Sequence, residues 1–164
     1  MSKDNRRQSD NLGTAAIVAG TAGTAIAGGL AGDFESVWYQ QLRKPAWQPS
    51  GRVIGAVWSV LYALIAVAGA LLWRRRGHVT GGKLMWLFAL QFGLNAAFTP
   101  IFTRFHALKL AVLVCGLLSL VVATLAVLAW PVRRLAAVLL VPYALWTAFA
   151  TLLSWRIQRL NRAS

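Results

Sequence analysis

The residues that enzymes use for acid–base or metal chemistry are scarce in this chain and do not cluster. The four acids are Asp4, Asp10, Asp33 and Glu35, so neither a carboxylate pair nor a Ser–His–acid arrangement can be drawn. His78 and His106 have no second His, Asp or Glu at ligand spacing, and Cys115, the single cysteine, excludes an internal disulfide. The groups left for chemistry are aromatic rings, amides and hydroxyls. Gln91, Asn95 and Thr99 recur four residues apart, and Tyr143, Thr147, Thr151 and Ser154 form a second stripe with Trp146 and Ala150 beside it. Each set falls on one face of a helix. For Gln91 the plain reading is a hydrogen bond between helices; Asn95 and Tyr143 are candidates to face a cavity. Rings with a few amides and hydroxyls between helices suit a flat apolar ligand.

The elements that must position these groups are membrane-spanning. The chain is 58% hydrophobic yet carries 17 Lys/Arg against 4 Asp/Glu, a combination that fits charges gathered at the ends of apolar spans. Five windows contain no charge: 11–32, 53–73, 84–103, 110–132 and 135–155. Each reaches the roughly 20 residues that a helix needs to cross a hydrocarbon core. The expected fold is therefore all-α, a bundle of five transmembrane helices over residues 11–160, with a polar tail at 1–10 and a first loop at 33–52. The first window has the basic start and apolar run of a signal peptide. Its length, and small residues spaced as at Ala19, Gly23 and Ala27, point instead to a retained, closely packed helix.

No ionisable side chain lies inside any window, which argues against proton-coupled export and ion pumping. The basic clusters Arg74–Arg76, Arg133–Arg134 and Arg156/Arg159/Arg162 each follow a window, the place of membrane-flanking charge, so nucleic acid is not an expected partner. Chain alternation puts nine Lys/Arg on one side of the membrane and eight on the other, leaving orientation open. The Ala/Arg-rich composition suggests the bacterial cell membrane.

The eight tryptophans divide into two groups. Trp73, Trp86, Trp130 and Trp155 lie at window ends, where an interfacial belt accounts for them. Trp38 and Trp47 lie in the first loop, which Pro45 and Pro49 stiffen; such a loop would act as a lid. Trp58 lies in the second span and Trp146 in the fifth. Alternation brings Trp58, Asn95, Phe98 and Ala150 into the leaflet nearest that loop, with Trp146 at its deeper edge and Tyr62 on the same wall as Trp58.

These residues carry a resemblance. "WYQQLRKPAWQP" followed by "VWSVLY", "QFGLNAAFTPIF" and "PYALWTAFATLL" are similar to the three signature segments of the translocator protein family, the tryptophan-rich sensory proteins (TspO, peripheral-type benzodiazepine receptor). The resemblance covers residues 38 to about 161. It implies a five-helix bundle, often a homodimer, that binds porphyrins such as protoporphyrin IX, sterols and synthetic ligands beneath the first loop. By motif position it assigns Trp38, Trp47, Trp58, Asn95, Tyr143, Trp146 and Ala150 to the ligand site or lid. The chain departs from the family pattern at Ser50 (the second proline of W-x-P-P), at Arg52, at Phe98 (frequently Trp), and at Ser154. It departs again at Trp155, where the animal sterol-recognition motif has Tyr, which puts cholesterol in doubt.

The function expected on these grounds is a membrane sensor or regulator that binds a tetrapyrrole, protoporphyrin IX or a relative, with no cofactor required. The ring would lie among Trp58, Phe98, Tyr143 and Trp146, its propionates reaching Arg43, Lys44 or Arg52. The alternatives are light-dependent porphyrin degradation, in which Trp146 and Trp58 would take part, and a carrier of tetrapyrroles or sterol-like lipids. The expected partners are that small molecule, membrane lipids and a second copy of the chain.

Overall fold

The computed structural model describes residues 3–162. Six helices follow in order: α1 (Lys3–Ala31), α2 (Val37–Gln41), α3 (Gly51–Trp73), α4 (Gly81–Thr103), α5 (Leu108–Ala129) and α6 (Arg134–Leu160). All but α2 are long and apolar enough to cross a membrane. The stretch 3–10, expected as part of a polar tail, continues α1 outward as helix. The first loop contains α2, and both ends of that loop are set by serine caps. Ser36 accepts a bond from the Tyr39 amide and Ser50 from the Val53 amide. Ser50 thus starts α3 where a second proline would have supplied only a fixed φ.

The long helices close into a ring, α1–α3–α6–α5–α4, in which each packs on its two neighbours. Side chains sort inside out relative to a soluble bundle. Ala68, Ala111, Ala129 and Ala136 are fully buried at the contacts, while Leu113, Leu120, Val127 and Leu145 point outward. Small residues at contacts let helix backbones approach where lipid, unlike water, gives no hydrophobic drive for association. Larger core members, Ile65, Leu72, Leu84, Phe88, Leu125 and Leu140, fill the remaining interior.

The first helix packs by a different face from the expected one. Ala19, Gly23 and Ala27 are exposed, and nothing lies within 4 Å of a Cβ built at Gly23. Among the described residues of α1, the buried positions are Gly13, Ile17, Thr21 and Thr24. Ile17 enters the space over Gly69 of α3, and Gly13 makes room for the Trp73 ring. Thr21 and Thr24 satisfy their hydroxyls on the carbonyls of Ile17 and Gly20, so they pack as small apolar residues. The stripe chosen from small residues alone misses this, because threonines that bond back to their own helix are also small. At the end of the ring away from the first loop, an Asp10–Arg76 ion pair ties α1 to the turn after α3, and Arg76 also lies over the Trp73 ring.

A Cβ at Gly69 would lie 2.6 Å from Ile17 Cγ2 and 3.0 Å from the Phe88 ring. Gly69→Val is expected to cost about 1–3 kcal/mol by overpacking, and Gly23→Val less than about 0.5 kcal/mol. Thermal unfolding of the two variants in detergent checks the contrast.

Candidate functional site

Inside the bundle the amides and hydroxyls form one connected chain. The Tyr143 hydroxyl of α6 donates to Gln91 Oε1 of α4 at 2.9 Å and accepts from Asn95 Nδ2 at 2.9 Å. The Tyr62 hydroxyl of α3 donates to Asn95 Oδ1 at 3.4 Å. Tyr143, Gln91 and Asn95 are all buried. Their four-residue spacing on α4 turns both amides inward, and the tyrosines arrive from α3 and α6, neighbours in the ring. Polar groups in hydrocarbon seek such partners, and here they join α4 to α6 across the ring. The hydroxyls of Thr147 and Thr151 bond to the carbonyls of Tyr143 and Thr147 within α6, at 3.0 and 2.7 Å. Asn95 and Tyr143 therefore face each other in a closed core. Gln91 Nε2 is buried without a hydrogen-bond partner among the described residues.

Trp58 joins this core. Its ring stacks on Tyr62 with centroids 5.3 Å apart and meets Tyr143 edge-on at 6.1 Å. Trp58, Tyr62, Asn95 and Tyr143 are thus brought together, filling the space between α3, α4 and α6.

The first loop is strapped across one end of the bundle. The Arg43 amide donates to Asn161 Oδ1, and Asn161 Nδ2 donates to the Arg43 carbonyl, both at 3.0 Å. Trp38 stacks on His106 at 3.9 Å with rings 18° apart and meets Phe102 edge-on at 6.3 Å. His106 holds φ at 53°, a left-handed conformation unusual outside glycine. Lys44 Nζ lies 4.0 Å over the Tyr39 ring, and Gln48 Nε2 donates to the Tyr39 hydroxyl at 3.2 Å. Burial pushes the Lys44 ammonium below the ordinary lysine pKa. Phe98 lies 5.8 Å from Phe102, ring to ring, in the cluster that also takes Tyr39 and Leu42 of the strap. Trp47 lies edge-on against Phe149 of α6 at 5.8 Å.

A cavity of about 710 Å³ lies between α3 and α6, inside the size range of small-molecule sites. Ala56, Val57, Val60, Leu61 and Leu64 line it from α3, and Pro142, Leu145, Trp146 and Phe149 from α6. Val60 is 60% exposed and Leu145 67%, so the cavity opens sideways, toward lipid. Pro142 lacks the amide that would close its helical turn, yet α6 continues as helix through it. The Trp146 ring, 5.3 Å from that of Phe149, carries a buried Nε1 with no partner among the described residues. Trp47 sits at the lid end through Phe149.

Of the residues singled out from the sequence, Trp146 lines this cavity and Trp47 borders it. Trp58, Tyr62, Asn95 and Tyr143 form the packed core beside it, while Trp38 and Phe98 belong to the strap's seat on α4. Ala150 is half-buried and not part of the lining. Arg43 and Lys44 are engaged in the strap; Arg52 is exposed, one turn before Ala56. Sequence reasoning missed Phe149, Phe102, His106 and Asn161. Phe149 stands within a quoted motif and pairs with both Trp47 and Trp146. Asn161 lies beyond the fifth window, with no signal to mark it. Trp86, Trp130 and Trp155 are exposed as a belt requires, but Trp73 packs on α1 at Gly13.

Tyr143→Phe leaves the Gln91 and Asn95 amides short of a partner and is expected to destabilise by about 1–3 kcal/mol. Tyr62→Phe, which loses one long bond, costs less in the same thermal measurement. Asn161→Ala removes both bonds to Arg43; amide exchange over residues 37–50 is expected to speed up about tenfold, with α5 unchanged.

Comparison with known proteins agrees with this architecture. The model of the TspO/MBR family matches residues 14–160. The chain is similar to Tryptophan-rich protein TspO of Bacillus cereus, 38% identical over 128 residues, covering 77% of this chain and 82% of the relative. It is similar to the uncharacterized membrane protein YtaB of Bacillus subtilis, 36% identical over 152 residues, covering 92% and 97%. The human Translocator protein is 36% identical over 126 residues, covering 76% and 75%.

Proposed function

The chain belongs to the TspO/MBR family, and from that premise we propose that it is a tetrapyrrole-binding sensor or regulator of the bacterial cell membrane. The observation that carries the proposal is the apolar cavity between α3 and α6, with Trp146 and Phe149 as an aromatic wall. A porphyrin is flat, largely apolar and large. Its faces gain from aromatic contact, and the Trp146 and Phe149 rings on the wall offer that contact. The Trp58–Tyr62–Tyr143 core serves as the stiff backing against which the wall is held, rather than as the surface that meets the ring.

This reading differs from the placement expected from the sequence, in which the ring lay among Trp58, Phe98, Tyr143 and Trp146. Seating it there would require separating the Tyr143–Asn95 and Tyr143–Gln91 bonds, whose loss leaves buried amides unpaired. The cavity requires no such change.

Titration of detergent-solubilised protein with protoporphyrin IX, followed by the porphyrin's Soret absorbance, tests the proposal. Trp146→Ala is expected to weaken binding about threefold to tenfold, and Val60→Trp, which fills the groove, to weaken it more. Trp58→Ala is expected to have the smaller effect. Wild-type affinity in both Trp146→Ala and Val60→Trp would contradict the assignment.

A further inference from the structure

We infer that Arg156, assisted by Arg52, anchors the carboxylates of the ligand at the headgroup level above the α3–α6 cavity, so that the site selects a planar anion arriving sideways from the bilayer. The inference rests on the tetrapyrrole reading above and adds the residue that sets ligand class.

The register of α6 carries it. Leu145 and Phe149 line the cavity. Arg156 follows Phe149 by seven residues, two turns further along, and so lies on the same helical face about 10 Å nearer the membrane surface. On α3, Arg52, Ala56 and Val60 form a row of four-residue steps, which puts Arg52 about 6 Å above Ala56 on the outer rim. The two helices run in opposite directions and meet at this end, so both arginines flank the mouth of one groove. Both are exposed. Of the other cations at this end, Arg159 lies over the Trp155 ring at 5.0 Å and Lys44 over Tyr39, the Arg43 backbone is held by Asn161, and Arg104, Lys109 and Arg162 are exposed beyond α4, on α5 and past the end of α6. The strap closes the end of the bundle, while the groove stays open along its side. A molecule with an apolar plate and carboxylates on one edge can slide its plate between α3 and α6 without drawing a charge into the hydrocarbon, where charge is costly. Guanidinium groups suit that edge, since they bind carboxylates in a forked geometry.

The test compares protoporphyrin IX with its dimethyl ester, which keeps the ring and removes the charges. In the wild type the diacid is expected to bind about threefold to tenfold more tightly than the ester. Arg156→Gln is expected to abolish most of that preference while leaving ester affinity unchanged, Arg156→Lys to retain part of it, and Arg159→Gln to retain all of it. Ester binding by each variant also reports that its cavity is intact. An undiminished preference in Arg156→Gln, or an equal loss in Arg159→Gln, would overturn the anchor and leave the tetrapyrrole reading standing. Binding of neither compound by the wild type would overturn that reading itself.

Discussion

The hydrocarbon layer offers no water to a polar side chain, so every amide and hydroxyl inside it must find a partner in the protein. The run from Gln91 through Tyr143 and Asn95 to Tyr62 meets most of that demand with three hydrogen bonds spanning three helices, leaving Gln91 Nε2 without a partner among the described residues. It also decides where a ligand has room. Tyr143 is fully buried at its centre, and Trp58 packs on its tyrosines. A cavity lies on the flank, between α3 and α6, with Pro142, Trp146 and Phe149 on its α6 wall.

The strap and the flank are two parts of one arrangement. Asn161, His106 and Phe102 hold the first loop across the bundle's end, and Trp47 extends from it to Phe149, the residue that continues the cavity wall. The loop thus meets the cavity wall through the Trp47–Phe149 contact and leaves its side open. Fully buried alanines on α3, α5 and α6 allow the close helix contacts that make this frame stiff, and a stiff frame keeps a pocket formed before its ligand arrives.

The five spans, their order and the aromatic enrichment near the first loop were legible in the sequence, because charge-free windows and tryptophan positions depend on the membrane rather than on particular neighbours. The faces were harder to read. Ala19, Gly23 and Ala27 look like a packing stripe by size, yet α1 packs through Ile17, Thr21 and Thr24, since hydroxyls bonded to the helix's own carbonyls cost little in lipid. Asn95 and Tyr143 were recognisable as inward-facing, but whether inward means toward a cavity or toward each other depends on distances across the ring. Phe149 and Asn161 draw their roles from partners about a hundred residues away in the chain (Trp47 and Arg43), which no local pattern encodes. Ser50, a departure from the family's paired prolines, acquires its meaning only with the helix it caps.

The most direct measurement is a structure of the chain in lipid with protoporphyrin IX bound. The account predicts a ring between α3 and α6, one face against Trp146 and Phe149, with the Tyr143 bonds to Gln91 and Asn95 intact. A ring enclosed between α4 and α6, with Tyr143 drawn away from both amides, would contradict it.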